Sequence, residues 1–144
     1  MKKITLAGAL AALALNGCAI PSVSQEEASS VNYGPKPAHW QEVIRDYLAL
    51  RLTDPKSALV EFRTEPKPML QKAVALEPQY WGWATCVWVN DKNREGAYDG
   101  FRPMTFFIRN EKIVHANNDP DHRSPVYSQF AREQCAVLGA PFGS

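Results

Sequence analysis

The chain has 144 residues and carries 16 Lys and Arg against 15 Asp and Glu, a formal net charge of +1. That length suits one domain with a modest core. The near-neutral balance, with no basic run interleaved with aromatics, argues against nucleic acid as a partner, because a phosphate backbone needs a clustered positive face.

The N-terminus reads as an export signal. Lys2 and Lys3 form a positive start, residues 4–15 an apolar run rich in Ala and Leu, and Asn16-Gly17 the small residues that precede cleavage. The run is well short of the roughly 20 apolar residues of a membrane-spanning helix. An ordinary secretory signal is the alternative, but Leu15-Asn16-Gly17-Cys18 has the form of a bacterial lipobox. Residues 1–17 are thus expected to be removed, with Cys18 lipidated. Two or more acyl chains give stable attachment where one is marginal. Position 19 is Ala and not the Asp of many inner-membrane lipoproteins, so the expected address is the outer membrane, on its periplasmic face. The covalent lipid on Cys18 is the only non-protein group expected, with no other cofactor. Cleavage leaves 144 − 17 = 127 residues, and without Lys2 and Lys3 the 14 remaining basic residues face 15 acidic ones.

Residues 18–37 are Ser-, Pro- and Glu-rich and are read as the lipidated Cys followed by a flexible tether, too poor in apolar groups to fold alone. Such a stretch averages roughly 25 Å end to end. Tyr33-Gly34-Pro35 is the part that would dock on the domain, which spans residues 38–144. Over residues 38–52, Trp40, Val43, Ile44, Tyr47, Leu48 and Leu52 recur at helical intervals, and Asp54-Pro55 ends the helix. Residues 57–63 predict a short strand with Ala58, Val60 and Phe62 on one face. Residues 69–76 fit a helical stripe better than alternation, although a strand stays open.

The strongest β segment is residues 79–90. Trp81, Trp83, Thr85, Val87 and Val89 share one face, and Gly82, Ala84, Cys86 and Trp88 the other, whose small residues would let a helix approach. Three of the four tryptophans fall in this strand and Trp40 on the helix stripe, which favours core packing over a carbohydrate platform. Residues 102–109 and 112–116 predict a hairpin turned at Asn110-Glu111, since Asn tolerates a left-handed conformation. Ser124-Pro125 opens a last helix and Gly139 closes it. Tyr127, Phe130, Ala131, Cys135 and Leu138 form its apolar stripe, so Cys135 faces the sheet and pairing with Cys86 is preferred. The alternative leaves both thiols buried and apart.

Two segments are candidate sites. The polar loop over residues 91–100 is long for a hairpin connection, and Asn90, Lys92, Asn93 and Tyr98 are its candidate binding residues. A solvated turn held by Gly96 and Gly100 is the plainer reading. Residues 115–122 gather His115, Asn117, Asn118, Asp119, Asp121 and His122. Their alternate-position oxygens echo a calcium loop, but His122 stands where the turn glycine belongs and Ser128 where the bidentate Glu belongs. The histidine spacing matches no zinc-protease helix, and two cysteines without CxxC spacing offer no structural zinc site, so no metal is expected and the segment reads as a polar turn. Glu26-Glu27 lie in the tether. No nucleophile elbow, Ser-x-x-Lys or phosphate loop is present, and no catalytic residue is assigned.

Tyr33-Gly34, Pro37, Gln41, Ile44, Tyr47-Leu48, Leu52, Asp54-Pro55 and Ser57-Ala58 form one block. Tyr80-Trp81-Gly82-Trp83, Asn90-Asp91-Lys92-Asn93, Gly96, Tyr98 and Gly100 form a second. In order and spacing these blocks, over residues 33–115, resemble a family of small, largely uncharacterised proteobacterial lipoproteins. The resemblance implies class and location but no activity. The chain departs from that pattern at Asp91, Arg94, Glu95, Ala97 and Asp99. The expectation is therefore an α+β domain, a small antiparallel β-sheet packed with an N-terminal and a C-terminal helix. It is membrane-anchored, with a non-enzymatic binding or structural role toward an envelope protein or cell-wall polymer. A periplasmic inhibitor of a cell-wall hydrolase is a narrower form of this role, and a small envelope hydrolase the alternative.

Overall fold

The strand β3 (Tyr80–Asn90) organises the domain. The computed structural model describes residues 20–75 and 77–143. The expected signal over residues 1–17 and Cys18 lie outside them. Five antiparallel strands form one sheet, ordered β1 (Leu59–Phe62), β3, β4 (Arg102–Arg109), β5 (Lys112–Asn117), with β2 (Lys67–Gln71) also on β3. β1 runs along the C-terminal half of β3, Leu59 opposite Asn90, and β2 along its N-terminal half, Gln71 opposite Tyr80. Between them the Arg63 N–H donates to the Cys86 carbonyl and the Cys86 N–H to Thr64 Oγ1, both at 2.9 Å, which carries the ladder across the break.

β2 decides for the strand in residues 69–71, where the helical stripe over residues 69–76 fits better than alternation; Leu76 lies outside the described residues. A stripe of eight residues is below the length at which a helix sustains itself in water, whereas the open half of β3 satisfies a strand's backbone. Pro68 is tolerated because β2 is an edge strand.

Two helices cover opposite faces of the sheet. α2 (Trp40–Ala49) sets Ile44 and Leu48 on Val87, Val89, Met104, Phe106 and Ile108. α3 (Pro125–Leu138) sets Cys135 and Leu138 on Ala84, Cys86 and Phe107. The α+β architecture matches the expectation. So do the caps of α3, with Ser124 Oγ accepting from the Tyr127 N–H and Gly139 at φ +101°. α2 stops earlier than its stripe: the Arg51 and Leu52 N–H groups both close on the Leu48 carbonyl, turning Leu52 into the core and leaving Leu50 85% exposed. Cys86 and Cys135 are joined as a disulfide, Cα atoms 5.1 Å apart, from the central strand to the terminal helix.

The β4–β5 hairpin turns at Asn110 (φ +51°) and Glu111 (φ +60°). The Glu111 carboxylate accepts the Ala38 N–H at 2.7 Å and the His39 N–H at 3.4 Å, an anion at the start of α2. Gly82 has a different reason from the expected helix approach. A Cβ there would lie 2.9 Å from the Ile108 carbonyl oxygen of β4. Gly82→Ala is therefore expected to cost about 1–3 kcal/mol, the usual scale of overpacking, read as a lower urea midpoint.

Residues 20–37, expected as a tether, lie against the domain. α1 (Gln25–Ser29) opens with a reciprocal capping box between Ser24 and Glu27, and Lys72 pairs with Glu27 at 2.8 Å. The Lys72 ammonium, followed by the Ser24 backbone N–H, holds the Glu27 carboxyl down to about 2. The indoles of Trp81 and Trp83 donate to the carbonyls of Asn32 at 3.2 Å and Gly34 at 3.1 Å, and the Tyr33 hydroxyl donates to the Ala28 carbonyl at 2.7 Å. Two of the four tryptophans thus clamp this segment, while Trp40 and Trp88 fringe the two cores.

Candidate functional site

The loop between β3 and β4 is held by its own polar side chains. Asn90 Oδ1 accepts the Gly100 N–H at 3.1 Å. Asn93 Oδ1 accepts the Glu95 and Ala97 N–H groups, both at 3.0 Å, while its amide donates to Asp99. Lys92 and Tyr98 pair across the loop, the Lys92 ammonium 5.5 Å from the ring centre, and the Tyr98 hydroxyl donates to the Ser57 carbonyl at 2.8 Å. At the base Asp91 pairs with Arg102, and both side chains are nearly buried. Of the candidate binding residues, then, Asn90 and Asn93 build the loop, Lys92 is half-buried against Tyr98, and Tyr98 is exposed. Asp91 and Asp99 thus each hold a partner in the loop framework.

The second candidate segment contributes to a buried polar cluster under α3. Thr105, His115 and Asn117 are brought to this side of the sheet by β4 and β5, Tyr80 by β3 and Gln71 by β2. Gln134 descends from α3 among them. Its Oε1 accepts from Thr105 Oγ1 at 2.6 Å and Asn117 Nδ2 at 2.9 Å, and its Nε2 donates to the Tyr80 hydroxyl at 2.9 Å and Gln71 Oε1 at 3.1 Å. Gln134, Thr105 and Asn117 are fully buried, so this set satisfies itself away from water.

At its margin stand two histidines. His115 stacks on Tyr80 with ring centres 3.6 Å apart and bonds Asn117 Oδ1 at 3.0 Å. His122 bonds Asp119 through Nδ1 at 2.9 Å and through its backbone N–H at 3.1 Å. The other oxygen of the fully buried Asp119 accepts from the Tyr47 hydroxyl of α2 at 2.5 Å. Burial and then Asp119 push the Tyr47 hydroxyl above its ordinary range. Tyr127 donates to Glu77, which pushes its hydroxyl up to about 12.

Chemically, an imidazole whose Nδ1 is held by a carboxylate is oriented as a general base is. A reaction also needs a nucleophile and a place for substrate. The nearby hydroxyls of Tyr47, Tyr127 and Ser124 are engaged by Asp119, Glu77 and the α3 N-terminus. Four grooves of the described surface, of about 380, 500, 550 and 360 Å³, are lined by residues other than His115 and His122. Among the described residues no three His, Cys, Asp or Glu side chains converge as a metal set.

Burial is the main cause that lowers the His115 pKa, partly opposed by Asn117, with His122, Glu77 and Asp119 as its charged surroundings. The unfolded chain then binds the His115 proton more readily, so its contribution to stability is complete above about 6.5 and is lost as pH falls from there through the folded value. The urea midpoint is expected to drop between about pH 7.5 and about pH 5.5, and less in His115→Gln. An unchanged drop in that variant would assign the effect elsewhere.

Reading the sequence missed Gln134, Tyr80, Gln71 and Thr105 as one set. The available signal was Gln134 itself, an amide between Ala131, Cys135 and Leu138 on the inward stripe of α3. No family model matches the chain, nor does any curated protein or solved structure.

Proposed function

We propose that the chain is an envelope lipoprotein, anchored through lipid on Cys18 at the periplasmic face of the outer membrane. Its domain would bind an envelope protein or cell-wall polymer without turning it over. The observation that carries this reading is the Cys86–Cys135 disulfide. Such a bond persists in oxidising compartments outside the cytoplasm, and it lies in the domain that follows the Lys2-Lys3 start, the apolar run and the Leu-Asn-Gly-Cys site. The resemblance to small proteobacterial lipoproteins supports the same class. Among the described residues no helix is long and apolar enough to cross a membrane.

The loop from Asn90 to Gly100 favours binding. Its shape is set before any partner arrives, which lowers the ordering cost of association, and it presents a Tyr98 side chain that is 45% exposed beside a half-buried Lys92. An inhibitor of a cell-wall hydrolase is one form of this role. The Asp119–His122 pair favours a small hydrolase as the second reading.

The test has two parts. Metabolic palmitate labelling is expected to mark the wild-type protein and not Cys18→Ala, and an unlabelled wild type would refute the anchor. Photo-crosslinkers at positions 92 and 98 in intact cells should then give one discrete adduct or attachment to the sacculus. Lys92→Ala and Tyr98→Ala should each weaken that binding about tenfold or more, the range of an interface hot spot, with Tyr98→Phe separating the ring from the hydrogen bond to Ser57. Hydrolysis of envelope substrates that disappears in His122→Ala would favour the second reading.

A further inference from the structure

The described chain starts on the flank of α3. The Ile20 N–H donates to Glu133 Oε2 at 3.0 Å, and from there to Gly34 the segment is held by the Glu27–Lys72 pair and by the Trp81 and Trp83 indoles. Cys18 is two residues upstream of Ile20. Two residues span at most about 7 Å, against the roughly 25 Å of a free tether of residues 19–37. A lipid on Cys18 therefore holds this flank close to the bilayer.

The flank also carries exposed apolar side chains, with Gln129 and Arg132 exposed among them. Ile20, Val23, Pro68 and Met69 help line a groove of about 550 Å³ that Val137 borders. Val126, Glu133 and Val137 follow one another at seven- and four-residue steps on the outer stripe of α3, with Val126 56% and Val137 68% exposed. The Glu133 carboxylate is occupied, accepting from Ile20 on one oxygen and from Gln129 on the other. Across the sheet, the outer face of α2 exposes Glu42, Arg45 and Asp46.

From these placements we infer that the α3 flank, from the Ile20 groove to Val126 and Val137, is a membrane-contact surface that rests on the phospholipid bilayer. The anchor then holds the domain in one orientation, with the charged face of α2 turned away from the lipid. This rests on the reading of Cys18 as the lipid-bearing residue.

The experiment uses the full-length acylated protein in phosphatidylethanolamine–phosphatidylglycerol vesicles. Val137→Cys and Leu50→Cys are each labelled with an environment-sensitive fluorophore under non-reducing conditions, which spare the buried Cys86–Cys135 bond. Shallow spin-labelled lipids are expected to quench the label at position 137 several-fold more than the label at position 50. Equal quenching, or stronger quenching at 50, would overturn the inference. In Lys72→Ala/Glu133→Ala, which removes two clamps on the N-terminal segment, the contrast should collapse. Its full persistence would overturn the role given to the docked segment. Mass analysis of the mature N-terminus separates the two levels: an unmodified Cys18 refutes both, whereas an acylated Cys18 without the contrast refutes only the orientation.

Discussion

Gln134→Leu is expected to destabilise the domain by about 3–5 kcal/mol, although the change is close to isosteric and introduces an apolar side chain into a buried site. The reason is the asymmetry of buried hydrogen bonds: a satisfied one contributes modestly, but an orphaned buried partner costs about 1–3 kcal/mol. Leu would remove the acceptor used by Thr105 and Asn117 and the donor used by Tyr80 and Gln71. Thr105 and Asn117 are fully buried and Gln71 and Tyr80 nearly so, so water does not replace the lost amide. The prediction has a second arm. Adding Thr105→Val deletes one orphan along with its partner, so the double variant should lose less than the sum of the single changes, a coupling a double-mutant cycle resolves. A urea midpoint unmoved by Gln134→Leu would show that the cluster is solvated and the energetic assignment mistaken.

Loss of the disulfide is the second large effect. Cys86 and Cys135 are 49 residues apart in the chain, and closing a loop of that size is worth about 4 kcal/mol in the chain-entropy model. This is a large share of the 5–15 kcal/mol typical of a domain. The Cys86→Ala/Cys135→Ala variant, or the wild type under thiol reductant, should show a strongly lowered urea midpoint. The denaturant slope should rise as well, because the reduced unfolded chain expands and exposes more surface. Far-ultraviolet dichroism at low denaturant should stay close to the oxidised form, because α3 still buries Phe130, Ala131 and Leu138. An equal midpoint with and without reductant would mean the bond constrains little in the unfolded chain.

Much of the fold was legible from local pattern. The caps of α3 were readable because Ser124, Pro125 and Gly139 act within a single turn. The β4–β5 turn was readable because Asn110 meets a backbone requirement of its own position. The alternation of β3 separated Val87 and Val89, which face α2, from Ala84 and Cys86, which face α3. β2 stayed open between helix and strand because its strand state depends on the open half of β3 and not on its own periodicity. Likewise, composition marked residues 20–37 as unable to fold alone, but it carries no information about surfaces that receive them. Trp81, Trp83, Lys72 and Glu133 supply those surfaces from distant parts of the chain.

The candidate sites divide in the same way. The sequence drew attention to the loop after Asn90 and to the polar run from His115 to His122, because unusual residues stand close together there. It could not tell display from construction. Only the folded chain shows Asn90 and Asn93 spent on the loop's own backbone, Tyr98 exposed beside a half-buried Lys92, and Asp119 buried between Tyr47 and His122.

By itself, then, the sequence determined the helix and strand segments with local signals, the pairing preference of Cys86 with Cys135, and the expectation of a lipid anchor at Cys18. These follow from residues acting over a few positions or from a linear motif. The tertiary structure alone decided that β1 and β2 share one edge of β3, that the N-terminal segment is docked from Ile20, and that Gln134 closes a buried polar set. Each of these depends on groups far apart in the chain meeting in space, where burial removes water as the competing partner and makes every hydrogen bond specific to its neighbours.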